Sequence, residues 1–201
     1  MEYDYDADGN RVSARLAPPG EPVTEAQCLV DAAGGLSHVV AALAAASNPT
    51  AHYARAADEL LAVIREREIR YLHVEALGSV PAPISAAGAA IDGYPHSAFG
   101  EMLPHQGGDA QPYGFTGEPA DRDTALAYHC ARWLDADTGR FVSADPLLAT
   151  PGAAIMLDGY AYAGNEPVTS VDPTGFLTDS QLGAKIHKHI SFPPAPLTLA
   201  G

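Results

Sequence analysis

Short stretches rich in β-forming residues, some with alternating polar and apolar positions, recur along the first half of the chain. Residues 36–40 (LSHVV) and 51–54 (AHYA) are two of them, and turn signals separate such stretches. Both features are typical of β-strands joined by tight turns. The pattern therefore predicts a mostly β protein built from antiparallel hairpins.

One turn motif recurs three times, beginning at Tyr5, Val30 and Ile84. In each copy a β-favouring residue is followed by Asp or Ser, and a glycine stands three places after that polar residue. The Asp or Ser side chain accepts a backbone N–H two residues ahead, and the glycine adopts the positive φ that the turn requires. Each copy therefore predicts the tip of a hairpin.

Residues 57–72 fit two structures. As a hairpin, ELLAVI and EIRYLHV pair across residues 65–67, a tip without Gly or Asn. As a helix, Leu60, Leu61 and Ile64 share one apolar face. Propensity alone favours the helix, whereas the family resemblance described below favours the hairpin.

Two prolines interrupt the next stretch of the hairpin rhythm. Pro81 and Pro83 fall where a strand is expected, and proline cannot donate a hydrogen bond to a sheet. This strand is therefore predicted to lie at a sheet edge or to be broken.

Composition and charge exclude several classes of function. The formal net charge is −14, and an acidic chain has no basic surface with which to bind nucleic acid. No segment approaches the ~20 apolar residues of a membrane span, and the N-terminus has no signal-peptide pattern. Cys28 and Cys130 are interpreted as unpaired, and we predict no metal or cofactor because no ligand spacing or phosphate loop occurs.

Residues 113–176 form the most distinctive segment. Asp137-Thr138-Gly139 predicts a hairpin turn between CARWL and RFV, and a second turn is predicted at residues 172–175. Aromatic residues supply the area for a small core. The five predicted aromatic anchors are Tyr128, Trp133, Phe141, Tyr160 and Tyr162.

This segment closely resembles the core of the RHS (YD-repeat) family, and the YDYDADGNRV stretch at the N-terminus resembles its repeats. The matching positions are Tyr113, Phe115, Gly117, Leu126, Tyr128, Arg132, Trp133, Asp137, Thr138, Gly139, Arg140, Phe141, Ser143, Asp145, Pro146, Tyr160, Tyr162, Asn165, Pro167, Val168, Asp172, Pro173 and Gly175. The resemblance implies hairpin repeats in a hollow β-shell that encloses a C-terminal polypeptide, which is toxic in polymorphic toxins. It also implies three parts: degenerate repeats at 1–112, the RHS repeat-associated core at 113–176 and a short variable tail at 177–201.

The resemblance further implies chemistry at two Asp-Pro steps. Asp145 and Asp172 match the acid pair of a self-cleaving aspartic protease, which would cut between Phe176 and Leu177. Two carboxylates that share one proton can activate water and polarise a peptide carbonyl. Arg140 matches a basic residue of the family that could orient a carboxylate.

Two functions remain open, and the sequence favours the first. The first is a structural or encapsulating piece of an RHS toxin, whose partner is its own C-terminal segment or an upstream RHS shell. The second is an aspartic autoprotease, which release of the tail would reveal.

Asp before Pro also initiates ordinary turns. In addition, Leu148 stands where the family usually has glycine, and the 27-residue interval between the aspartates is longer than usual. The resemblance also implies a location, since RHS proteins are secreted or lie at the cell surface.

Overall fold

An antiparallel meander makes up most of the chain in the computed structural model. The structure describes residues 2–17, 22–33, 36–44, 48–56, 59–104, 107, 112–121, 124–146 and 158–176. Eight strands are hydrogen-bonded in sequence order: β1 (Glu2–Tyr5), β2 (Arg11–Leu16), β3 (Thr24–Asp31), β4 (His38–Ala44), β5 (Pro49–Ala56), β6 (Glu59–Arg65), β7 (Glu68–His73) and β8 (Ala82–Ser85). The prediction of a mostly β fold made of antiparallel hairpins is confirmed.

The recurring turn motif produces the predicted geometry at the first hairpin. Asp6 Oδ1 accepts the N–H of Asp8 at 3.0 Å and that of Asn10 at 2.8 Å. Gly9 has a φ of 86°, in the left-handed region that glycine favours. Ser85 plays a related part at a later turn, although its hydroxyl accepts the N–H of Ala89, four residues ahead rather than two.

Replacing Asp6 with alanine should destabilise the fold by about 1 kcal/mol, because the turn loses the side-chain acceptor of its backbone N–H groups. Asp31 accepts one such N–H, from Ala33 at 2.9 Å, so Asp31→Ala should reduce the free energy of unfolding by less than Asp6→Ala does. Urea unfolding of both variants measures the difference. Equal losses would contradict this account of the turn.

Residues 59–73 form a hairpin, as the family resemblance favoured. Ile64 pairs with Ile69, and Arg65 with Glu68. The tip is Glu66-Arg67, with φ values of 50° and 70°, so two non-glycine residues adopt left-handed conformations. Strand pairing overrides the local helical preference here because both strands have neighbours in the sheet.

Strand β8 accommodates Pro83 at the sheet edge. It pairs with β7 alone among the strands, and Pro83 lies opposite Leu72. An edge strand is hydrogen-bonded to a neighbouring strand on one side only. Proline, which has no N–H to donate, is therefore tolerated there. The prediction of an edge or broken strand is confirmed.

A second, three-stranded sheet follows in the order β11-β10-β9. Its strands are β9 (Leu126–His129), β10 (Arg132–Asp135) and β11 (Arg140–Phe141). The predicted turn joins β10 to β11, with Gly139 at a φ of 68° and Asp135 Oδ1 accepting the N–H of Asp137 at 3.0 Å. Two short 3-10 turns, Phe115–Gly117 and Ala163–Asn165, complete the regular structure of the described residues.

The N-terminal hairpin, β1 and β2, packs against this second sheet. Tyr3 stacks on Trp133 with ring centroids 4.7 Å apart, and Trp133 Nε1–H donates to the Tyr5 hydroxyl at 3.0 Å. The Arg11 guanidinium lies 5.2 Å from the Tyr128 ring centroid and 5.3 Å from that of Trp133. The first and second predicted parts of the chain are therefore in direct contact, although their boundary at residue 112 stays a prediction.

The interior contains two larger clusters of buried apolar side chains. The first, on the long sheet, comprises Ala51, Tyr53, Leu60, Val63, Leu72, Val80 and Tyr113. The second, under the three-stranded sheet, comprises Phe115, Ala127, Leu134, Phe141, Tyr162 and Ala163. Four of the five predicted aromatic anchors are buried, but Tyr160 is 43% exposed. Its ring lies 5.9 Å from the Arg140 guanidinium on the surface, so the prediction was wrong for this residue.

Cys28 and Cys130 are both free thiols. Across the described ranges, no helix is long and apolar enough to span a membrane.

The sequence of the tail predicts a short helix that Asp179 or Ser180 would cap and that would end near Lys188, and it favours no metal site at His187 and His189. All of these residues lie outside the described ranges.

Candidate active site

The three-stranded sheet presents different side chains on its two faces, because successive residues of a strand point to opposite sides. Tyr128 and Trp133 face the N-terminal hairpin, against which they pack. The alternate residues, His129 and Arg132, point to the other face and are 0% and 3% exposed. The β9–β10 pair thus delivers an imidazole and a guanidinium to the interior.

Arg132 is the centre of a buried polar cluster. Its Nη2 lies 3.1 Å from Asp145 Oδ2 and 3.2 Å from Asp172 Oδ2. Its Nη1–H donates to the Gly159 carbonyl at 2.9 Å, and its Nε–H donates to the Gly175 carbonyl. The structure therefore brings the two predicted aspartates, 27 residues apart in sequence, together on one guanidinium.

Asp172 begins the turn that leads to the predicted cleavage position. Its Oδ1 accepts the Thr174 hydroxyl at 3.2 Å and the N–H of Phe176 at 3.1 Å. Phe176 is 3% exposed, so its main chain lies at the carboxylate and its ring in the interior. Leu177, on the far side of the predicted scissile bond, lies outside the described residues.

Gly175 allows this turn to lie against the end of strand β9. Its φ is 68°, and a Cβ at this position would collide with the backbone carbonyl oxygen of His129. The Ala131 N–H donates to the Thr174 carbonyl at 3.2 Å. Only glycine meets both the conformational and the steric requirement.

Burial dominates the electrostatics of the cluster. It raises the pKa of Asp172 to about 6, although Arg132 and the N–H of Phe176 act in the opposite direction. Burial also lowers the pKa of His129 to about 4, which keeps this imidazole neutral at neutral pH. One guanidinium balances one carboxylate, and burial favours the protonated form of the second. The arrangement is chemically suited to a carboxylate pair that holds one proton.

Large toxins are among the known proteins similar to this chain. It is 32% identical over 108 residues to the tRNA nuclease WapA of Bacillus subtilis, covering 52% of this chain and 5% of the relative. It is 33% identical over 124 residues to the double-stranded DNA deaminase toxin A of Burkholderia cenocepacia, covering 59% and 8%. No family model matches.

Solved structures with the same fold are toxin complexes. The TcdB2-TccC3 complex without its hypervariable C-terminal region superposes with a TM-score of 0.66 at 20% identity, over 87% of this chain and 9% of that chain. The Tc holotoxin pore of Photorhabdus luminescens gives a TM-score of 0.67 at 18% identity, over 89% and 9%. These neighbours have an RHS shell, and the sequence relatives are RHS-associated toxins. In sequence and in fold, the chain is therefore similar to RHS-associated toxins. It spans only 5% to 8% of the length of the sequence relatives just described.

The structure places Arg140 away from the aspartate pair. The Arg140 Nη2 donates to Asp158 Oδ1 at 2.8 Å, and the two side chains are 47% and 39% exposed. Arg140 therefore orients a surface carboxylate, whereas Arg132 makes the buried contacts expected of the orienting residue.

Sequence reasoning gave no role to Arg132 or His129 in the site. Arg132 was among the family matches, but nothing in its local sequence distinguishes it from Arg140. The useful signal is the period of two along β10, which places Arg132 on the face opposite the large aromatic Trp133. His129 occupies the corresponding inward position on β9.

No metal centre is formed in the described ranges of the chain, where no three His, Cys, Asp or Glu side chains cluster as ligands would.

Proposed function

We propose that this RHS chain forms part of a β-shell and that its core cuts its own backbone between Phe176 and Leu177. One observation carries the proposal. The buried Asp145 and Asp172 share one Arg132 nitrogen, and Asp172 also accepts the N–H of Phe176. Two carboxylates and the residue before the scissile bond thus occupy one site.

The reaction is hydrolysis by a carboxylate pair that carries one proton. The ionised carboxylate takes a proton from water, whose oxygen forms a bond to the Phe176 carbonyl carbon. The protonated carboxyl donates its proton to the carbonyl oxygen. When the tetrahedral intermediate collapses, the bond from the Phe176 carbon to the Leu177 nitrogen breaks. The carboxyl that took the proton from water gives it to the leaving nitrogen, and a hydroxyl of the intermediate returns a proton to the other carboxylate. Arg132 holds both carboxylates in place and remains unchanged.

The proposal extends to the longer protein of which this chain would be a part. The partner of the core is its own C-terminal segment or an upstream RHS shell, and the longer protein is an exported or surface toxin. Residues 1–112 supply shell repeats, residues 113–176 the core and residues 177–201 the segment that is released. Support comes from the shell fold shared with the toxin complexes and from the toxin relatives.

Intact mass spectrometry of the full chain tests the cleavage. Purification under denaturing conditions followed by refolding at pH 6 should yield a product that lacks residues 177–201. Asp145→Asn and Asp172→Asn should each slow the loss at least ~100-fold, because neither variant retains the pair. Burial raises the pKa of Asp172 to about 6. The cleavage rate should therefore fall as the pH rises above 6, because Asp172 then loses its proton.

Asp137→Asn is the matched control, since Asp137 is an exposed carboxylate on the turn after β10, and it should cleave like the parent. A refolded parent chain that keeps its full mass from pH 4 to 7 would refute self-cleavage. The chain would then serve as a scaffold, the function that the shell fold supports without any chemistry.

A further inference from the structure

The turn that carries Asp172 is docked onto β9 and β10 through its main-chain carbonyl groups. The Ala131 N–H binds the carbonyl of Thr174, and Arg132 binds that of Gly175. The carbonyl of Asp172 itself lies 2.9 Å from His129 Nδ1. A carbonyl oxygen only accepts, so Nδ1 carries the hydrogen and donates it.

His129 has no room for any other arrangement. Its side chain is fully buried, with ring centroids 5.3 Å from Tyr162 and 5.8 Å from Phe141, both edge-on. Its Nε2 is buried without a hydrogen-bond partner among the described residues. A fully buried imidazole with one unsatisfied nitrogen is costly compared with an apolar ring, so its single donated bond is the feature that distinguishes it from phenylalanine.

We infer that His129 is a positioning residue for the self-cleavage reaction. It holds the backbone of Asp172 so that the Asp172 carboxylate contacts Arg132 and Phe176. The inference rests on the proposed function. Asp172 makes its carboxylate contacts in two directions, to Arg132 through Oδ2 and to Phe176 through Oδ1. Both directions depend on where its Cα lies. A displacement of about 1 Å in such a site is enough to slow a reaction ~100-fold.

Three substitutions separate the donated bond from the bulk of the ring. His129→Asn retains an N–H at the same number of bonds from Cα as Nδ1, His129→Gln moves it one bond further, and His129→Phe retains an apolar ring without a donor. Cleavage after refolding is followed by intact mass, and folding by the fluorescence of Trp133, the one tryptophan. We expect His129→Asn to cleave within ~10-fold of the parent, and His129→Gln and His129→Phe to be at least ~100-fold slower.

The comparison of the asparagine and phenylalanine variants decides the inference, because both lack a titratable imidazole. If folded His129→Phe cleaves as fast as His129→Asn, the positioning role is wrong. If His129→Phe fails to fold, His129→Gln against His129→Asn makes the same comparison with two amides.

A second readout does not depend on cleavage. The Asp172 carboxyl is labelled with ¹³C, assigned with Asp172→Asn and titrated in each variant. The titratable groups that interact with it stay unchanged, namely Arg132, Asp145, Glu118, Cys130 and Tyr162. We expect His129→Asn to retain the parent midpoint and the variants without a correctly placed donor to move it by at least half a pH unit. Identical midpoints would overturn the inference even in a chain that does not cut itself. A parent that keeps its full mass together with shifted midpoints would refute the cleavage and keep the positioning role.

Discussion

Replacing Arg132 with methionine is expected to destabilise the fold by about 3–5 kcal/mol at pH 7, since removal of one partner leaves buried charge uncompensated. Asp145 and Asp172 are 5% and 1% exposed at their side chains and share this one cation. Methionine is also unable to donate to the Gly159 and Gly175 carbonyls. Urea unfolding with Trp133 fluorescence measures the loss.

Arg140→Met is the matched control. Arg140 also pairs with an aspartate, but at the surface, where such pairs contribute about 0–1 kcal/mol. The effect of Arg132→Met should be reduced when Asp145→Asn and Asp172→Asn are added, because the uncompensated carboxylates are then absent. Similar losses in Arg132→Met and Arg140→Met would contradict the central role of Arg132.

Turn chemistry is why the hairpins could be predicted from the sequence. The interactions that form the first turn lie within the four residues after Asp6, so the local motif contains its own cause. The hairpin at residues 59–73 is different, because its tip has no turn residues and its local preference is helical. Its structure depends on the neighbouring strands β5 and β8, which no local window reveals.

The candidate site could be predicted only in part for a related reason. The Asp-Pro steps identified Asp145 and Asp172 through the family motif, but the choice between Arg132 and Arg140 depends on which face of β10 is inward. That face is set by the packing of Trp133 against Tyr5, 128 positions away. The period of two along β10 separates Arg132 from Trp133, but long-range packing decides which of the two faces is buried with the carboxylates.

Relative to the parent, Asp172→Asn is expected to gain stability steadily as the pH rises from 4 to 7, by a total of about 2.4 kcal/mol. The pKa of Asp172 is raised from 3.8 to about 6 in the fold, so the folded chain binds this proton more tightly than the unfolded chain does. The resulting stability is fully present below pH 4 and is lost as the pH rises through 6. Asparagine does not ionise and loses nothing.

The contribution of His129 to stability depends on pH with the opposite sign. Its pKa falls from 6.5 to about 4 on burial, so its contribution increases as the pH rises from 4 to 6.5. The two groups therefore oppose each other in the parent. Glu118, whose pKa burial raises to about 8, acts alike in the parent and in Asp172→Asn, so the gap between the two stability curves reports Asp172.

Urea unfolding at four pH values between 4 and 7 measures the gap between the two curves, with Asp137→Asn as a control that should run parallel to the parent. Loss of residues 177–201 from the parent alone would offset the curves by a roughly constant amount, whereas the titration of Asp172 widens the gap with pH. A gap that stays constant from pH 4 to 7 would mean that Asp172 titrates alike in the folded and unfolded chains. Burial would then not hold a proton at the pair, and the shared-proton chemistry proposed for Asp145 and Asp172 would lose its physical basis.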